Sequence, residues 1–230
     1  MKLTKNILIF GSAALVIFLT TLTQQCKAQA ELHGSYVSDY VIRGVSRVDN
    51  SAQVKASFVA PVENKLLSVT NVYGTLLATR AFDGDVDSVR DLYAGTVLGT
   101  KLVQLDLGGR HRKTGDNTES ELYAGVKLDV IGNPGVYYVR GTTEEFNAYE
   151  LRVSEAIKWG FLPEELTTQV SGLVGNQSGP VSTSYYEAYF TVNYALKETT
   201  ELFAGIGYAG TSAADYDNNV VYTAGVNCKF

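Results

Sequence analysis

The sequence predicts an all-β chain, a transmembrane antiparallel up-and-down barrel of about twelve strands. Three observations carry that prediction. The last stretch, Val220 to Phe230, sets apolar Val220, Tyr222, Ala224, Val226, Cys228 and Phe230 against small or polar Thr223, Gly225, Asn227 and Lys229. A period of two over this length is a strand with two different faces. Comparable alternation recurs along the rest of the chain after residue 30. Finally, Asp91-Leu-Tyr-Ala-Gly95, Glu121-Leu-Tyr-Ala-Gly125 and Glu201-Leu-Phe-Ala-Gly205 repeat one pattern. Pleating puts the acid, the aromatic and the glycine on one face. A carboxylate facing lipid is costly, so that face is the lumen, where the aromatic can lie over a neighbouring glycine.

Met1 to Ala30 reads as a secretory signal peptide. Lys2 and Lys5 give the positive start, Ile7 to Leu22 the apolar core, and Ala28-Gln29-Ala30 a small-x-small cleavage site. The apolar core is short for a spanning helix, which needs ~20 residues. Cys26 lacks the small residue that precedes a lipidated cysteine, so a cut, unlipidated leader is expected. Residues 31–230 then form one barrel whose only cysteine is Cys228, which excludes an internal disulfide. The leader holds three bases and no acid, leaving 16 basic and 24 acidic residues, net −8. That balance argues against nucleic acid as a partner.

Twelve strands are expected near 32–44, 51–61, 66–78, 89–99, 101–111, 119–130, 135–142, 147–159, 166–175, 184–196, 200–209 and 219–230. Connections after even-numbered strands read as short, and those after odd-numbered strands, such as Val45 to Asn50 and Arg112 to Thr118, as longer and more polar. Both termini then lie at the periplasmic end. Tyr186 and Tyr194 are eight residues apart on one face. Along a tilted strand that separation spans ~20 Å of depth, close to the apolar band between two aromatic girdles. Strand 66–78 is ambiguous, with Thr70 and Asn71 on opposite faces, and Glu155 falls on an otherwise apolar outward face.

Two stretches resemble known families. Thr223-Ala-Gly225-Val-Asn-Cys228-Lys-Phe230 looks like the C-terminal sorting signal of bacterial outer-membrane barrels, with Thr223, Gly225, Cys228 and Phe230 in its key positions. That resemblance implies recognition by the barrel-insertion machinery. Gly34 to Ser46, with Ser38-Asp39-Tyr40-Val41-Ile42-Arg43-Gly44-Val45-Ser46 at its heart, resembles the opening strand of the TorF-type porin family. Ile42 stands in place of the usual Phe, and Arg47 where Gln is common. The resemblance covers about a dozen residues and implies an outer-membrane barrel and a channel, without naming a solute.

By pleat parity the lumen is lined by Asp39, Arg43, Lys55, Asp91, Asp106, Arg110, Arg112, Glu121, Lys127, Asp129, Arg140, Glu150, Arg152, Lys158, Glu187, Glu201 and Lys229. Lys55 is the expected partner of Asp39, and carboxylates elsewhere in the lumen those of Arg43. The order of charges suggests a basic arc on strands five to eight facing acids at Asp91, Glu187 and Glu201. No cofactor or metal is expected: two histidines and one cysteine, far apart, make no zinc site, and the acidic outer loops lack the pattern of a calcium loop. Those acids read as solvated, bridged by divalent cations to lipopolysaccharide. The leading functional reading is a narrow passive channel for small solutes in the bacterial outer membrane. A non-conducting structural or surface-interaction barrel is the alternative. A hydrolase using His111, with Ser120 and the Asp83, Asp85 and Asp87 loop within reach, stands behind both, and no nucleophile motif supports it.

The leader reading predicts a chain that fractionates with outer membranes and begins at Glu31 by mass spectrometry; a lipid on Cys26 or an uncut leader would contradict it.

Overall fold

The computed structural model describes residues 28–62, 69–82, 88–180, 182–213 and 217–230. The expected leader, Met1 to Lys27, and Asp83, Asp85 and Asp87 lie outside them. Twelve antiparallel strands form one closed barrel: β1 (Gln29–Ile42), β2 (Val45–Pro61), β3 (Val69–Ala81), β4 (Val89–Gly99), β5 (Val103–Thr114), β6 (Asn117–Leu128), β7 (Gly135–Gly141), β8 (Asn147–Ile157), β9 (Leu166–Ser178), β10 (Thr183–Lys197), β11 (Thr200–Thr211) and β12 (Asn219–Lys229). Each strand pairs with its neighbours in sequence, and β12 closes on β1 from Glu31↔Lys229 to Val37↔Thr223. Closure leaves no edge strand and satisfies the backbone inside a bilayer. At the seam the backbones of Ala30 and Phe230 hydrogen-bond to each other, with the Phe230 amide donating at 2.8 Å.

The two faces follow the pleat. Leu92, Leu122, Val136, Tyr149, Val174, Tyr194, Leu202 and Tyr222 are exposed on the outside. Inside, aromatic rings cover cross-strand glycines: Tyr73 over Gly95, Tyr123 over Gly108, Tyr137 over Gly125, Tyr185 over Gly175, Tyr189 over Gly207 and Phe203 over Gly225. A Cβ at Gly125 would lie 2.3 Å from the Tyr137 ring, so a larger residue there would displace the aromatic. This is the acid-aromatic-glycine row expected from the sequence, realised between strands rather than within one. The ambiguous strand resolves too, with Tyr73, Thr75 and Leu77 inside and Val72 and Leu76 outside. Glu155 remains on the outer face, and its Oε2 accepts hydrogen bonds from the Gly132 amide at 2.7 Å and Asn133 Nδ2 at 3.3 Å. It therefore caps the turn after β6, whose Asn133 and Gly132 both have positive φ (39° and 82°).

Three expectations need correction. The connections are not short at one end and long at the other: those between strands at the end opposite both termini, expected to be the outer end, span 43–44, 82–88, 115–116, 142–146, 179–182 and 212–218, against 62–68, 100–102, 129–134, 158–165 and 198–199 at the end that carries the termini. Val45 to Asn50 and most of Arg112 to Thr118 are strand, because two-residue turns at Arg43-Gly44 and Gly115-Asp116 tighten those hairpins. Arg140 points outward, opposite Leu122, while Tyr137 and Val139 fill the interior. Both faces of β7 carry an aromatic and an aliphatic residue, so apolar pattern does not orient it. Arg140 sits one residue from the end of the strand, where the long stem of an arginine can carry its charge past the apolar wall. Asp129 and Lys158 lie in exposed turns rather than on the wall.

Phe230 is half-exposed on the outside of the barrel, at the rim that carries both termini. Phe230→Ala is expected to lower the yield of heat-modifiable barrel in membranes; an unchanged yield would show that the terminal ring is dispensable for assembly.

Candidate functional site: the lumen and its folded hairpin

β1 and β2 do not stay in the wall. β1 leaves β12 after Val37↔Thr223, and β2 pairs with β3 only from Ser51↔Ala81 onward. Beyond that level the two strands pair with each other alone, at Asp39↔Asp49, Tyr40↔Val48, Val41↔Ser46 and Ile42↔Val45. The register shifts between Tyr40 and Val41, and Asn50 has φ 41°. The resulting arm bends into the barrel. Its tip is Arg43-Gly44, with φ values of 51° and 73°, both positive as in a type I′ hairpin turn. Val41 and Ile42 are buried, Val41 against Val37, Ala209 and Val221, and Val48 is buried against Ala81 and Val89.

The tip crosses to the opposite wall. Arg43 donates Nη1 and Nη2 to the Glu121 carboxylate of β6 at 2.9 and 3.0 Å, and Nε to Glu150 of β8 at 3.3 Å. Its guanidinium also lies 4.7 Å from the centre of the Phe146 ring. A planar fork gripping one carboxylate with two parallel bonds is the strongest geometry open to a side-chain ion pair. The Gly44 amide donates to Glu187 of β10 at 3.3 Å. A Cβ on Gly44 would lie 2.0 Å from the Gly210 carbonyl oxygen, so only glycine allows this approach. Lower on the arm, Tyr40 donates its hydroxyl to Asp91 of β4 at 2.6 Å. Asp39 accepts a hydrogen bond from Ser46 across the hairpin, not a salt bridge from Lys55, which stands opposite His33 on β1. Each polar residue of Asp39-Tyr40-Val-Ile-Arg43-Gly44-Val-Ser46 thus holds the arm, internally or against the wall.

The remaining lumenal charges pair locally. Asp91 receives Arg110 at 2.6 Å and Arg112 at 2.9 Å, and Arg112 also reaches Glu119 at 2.9 Å. Glu150 binds Arg152 on its own strand, and Tyr185 donates to it at 2.7 Å. Lys229 meets Glu201 at 3.0 Å near the opening that carries both termini, where His33 stacks on Phe203 with ring centres 4.5 Å apart. Lys127 faces the lumen with no ion-pair partner among the described residues. Most of these charges therefore pair within or across strands, and they do not form a basic arc facing an acidic one. Sequence reading missed Glu119, which shares the inward face of β6 with Glu121 and was legible by parity, since the expected strand 119–130 already contained it.

Beneath the arm is a cavity of about 560 Å³. Its lining includes Ile42, Arg43, Tyr73, Tyr93, Asp106, Arg110, Glu121, Tyr123, Glu150, Arg152 and Glu187. Asp106 accepts from Tyr73 at 2.6 Å and Tyr137 at 3.3 Å. Arg110 and Arg152 lie over Tyr93 and Tyr137, 4.8 and 4.2 Å from the ring centres. His111 Nδ1 is 2.9 Å from Ser120 Oγ, but this pair is on the outer face, and no described carboxylate orients the ring. Among the described residues no cluster has the make-up of a metal site.

No protein-family model and no curated protein matches the chain. Solved structures do. The chain is similar to the NanC porin at TM-score 0.57 and 10% identity, over 87% of this chain and 100% of that one. It is similar to the KdgM porin at 0.54 and 9%, over 88% and 99%, and to "KdgM porin in complex with disordered oligogalacturonate" at 0.53 and 10%, over 88% and 99%. At these identities the likeness establishes the fold: a closed twelve-stranded barrel of the kind found in small outer-membrane porins.

Arg43→Ala leaves Glu121 without its bidentate cation, a loss worth ~3 kcal/mol for a buried pair. It is expected to lower the temperature at which the folded band converts to the unfolded one, whereas Arg140→Ala leaves that temperature unchanged in detergent.

Proposed function

We propose that the protein is a narrow, passive outer-membrane channel for small solutes, its aperture set by the β1–β2 arm. The observation that carries this reading is the arm itself. A plugged structural barrel can fill its lumen with wall side chains alone, as eight-stranded barrels do. Here twelve strands enclose more space than that, and one hairpin narrows the lumen while a cavity of about 560 Å³ remains beneath it. The fold shared with NanC and KdgM porins supports the same reading. Delivery to the outer membrane follows from the leader and from a terminal strand that presents Thr223, Gly225, Cys228 and Phe230 to the barrel-insertion machinery.

The cavity lining holds three arginines and four carboxylates, most of them paired, so little ion preference is expected. Arg140 has no part in that balance, because it faces outward, whereas Arg152 lines the cavity.

Planar-bilayer recording tests the proposal. Wild type should give small, ohmic conductance steps, and Arg43→Ala with Glu187→Ala, which frees the tip from both walls, should raise them several-fold. Absence of conductance in both, with each protein folded, would instead support the structural barrel.

A further inference from the structure

The lipid-facing wall ends differently on its two sides. At the outer ends of β10, β11, β12 and β1 it carries Tyr186, Tyr208, Tyr222 and Tyr36, and on β7 and β8 Tyr138 and Tyr149. This is half of an aromatic girdle. On β3 to β5 the outer ends carry Arg80, Arg90, His111 and Lys113 instead, and Arg140 follows Tyr138 on β7. All five are exposed. Parity puts them outside: Arg90 shares its face with Leu92, His111 and Lys113 with Leu105, Arg80 with Leu76, and Arg140 with Val136.

These cations crowd one another. Arg90 and Lys113 are direct cross-strand partners, Arg80 is diagonal to Arg90 through Ala78↔Arg90, and His111 shares the face of β5 with Lys113. Like charges directly opposite destabilise a sheet. Neither Arg90 nor Lys113 forms an ion pair with a described residue. An anion lying across the pair would turn that repulsion into attraction. Guanidinium forks match phosphate oxygens, and the long stems of Lys and Arg can lie along the apolar wall while their heads reach headgroup depth.

We propose that the outward rim from β3 to β7 is a binding site for the phosphate groups of an anionic outer-leaflet glycolipid. Arg90 and Lys113 grip one phosphate, Arg80 flanks it, and Arg140, two strands beyond β5, takes a second anionic group of the same or a neighbouring molecule. The leaflet follows from the end of the barrel, which is opposite both termini. The site rests on the outer-membrane reading and not on whether the lumen conducts. It also replaces the acidic outer loops as the protein's direct contact with lipopolysaccharide.

The test uses the folded barrel in vesicles of zwitterionic phospholipid doped with diphosphoryl lipid A, or with the same lipid stripped of its phosphates. Lipid retained on the protein is read by native mass spectrometry. Wild type should retain the diphosphoryl form and not the stripped one. Arg90→Gln with Lys113→Gln, which keeps much of each stem, should weaken retention about tenfold, the effect of losing one or two charge-assisted hydrogen bonds. Lys229→Gln, at the far end of the lumen, should retain lipid as wild type does. Should the double variant not fold, Arg140→Gln is read instead, with a smaller loss expected. Equal retention by wild type and variants, or of phosphorylated and stripped lipid, would overturn the site. Failure of wild type to insert into vesicles, seen as absence of a heat-modifiable band, would refute the outer-membrane reading and the site with it.

Discussion

An arginine at the tip of a two-residue turn, clamped between carboxylates on the far wall, determines how this barrel is filled. Arg43 is carried into the lumen by an arm that has given up its hydrogen bonds to β12 and β3, and the ion pairs with Glu121 and Glu150 help to hold it there. The apolar burial of Val41, Ile42 and Val48 adds to the same effect. Charges in a confined, poorly hydrated space are costly unless paired or hydrogen-bonded, and most of the described buried charges here are so held: Asp91 with two arginines, Glu150 with two, Glu201 with Lys229, and Asp106 and Glu187 by hydrogen bonds. On the proposed channel reading, this filling gives a constriction of fixed shape and little net field, with selectivity resting on size more than on charge.

The wall makes room for that filling through glycine. Six aromatic rings lie flat over cross-strand glycines inside the barrel, stiffening it without projecting into the centre. Gly44 serves a different purpose, since its missing side chain lets the tip meet the backbone of β11 at Gly210. The chain thus uses glycine once to admit the arm and repeatedly to clear space for it.

Strand number was legible in the sequence because the period of two recurs along the chain, and the inward face because a carboxylate facing lipid is costly, so that Asp91, Glu121 and Glu201 mark the inside of three strands. The inward bend was not legible. Val45 to Asn50 is polar and reads as a loop, Arg-Gly is not the Asn-Gly pair that announces a type I′ hairpin, and the residues that hold Arg43 lie 78 and 107 positions away. Carboxylates across the lumen were the expected partners of Arg43, but the route by which it reaches them is a tertiary property. Arg140 is misleading for the opposite reason: β7 is equally apolar on both faces, so its one charge reads as a lumenal marker although it marks the rim.

The position of the arm can be measured directly by nuclear magnetic resonance on barrel selectively labelled at glycine in micelles. An inward-folded arm predicts a nuclear Overhauser contact between Gly44 and Gly210 and slow solvent exchange of the Gly44 amide, which donates to Glu187. A rapidly exchanging Gly44 amide with no contact to Gly210 would place the hairpin outside the barrel and contradict a constriction at this site.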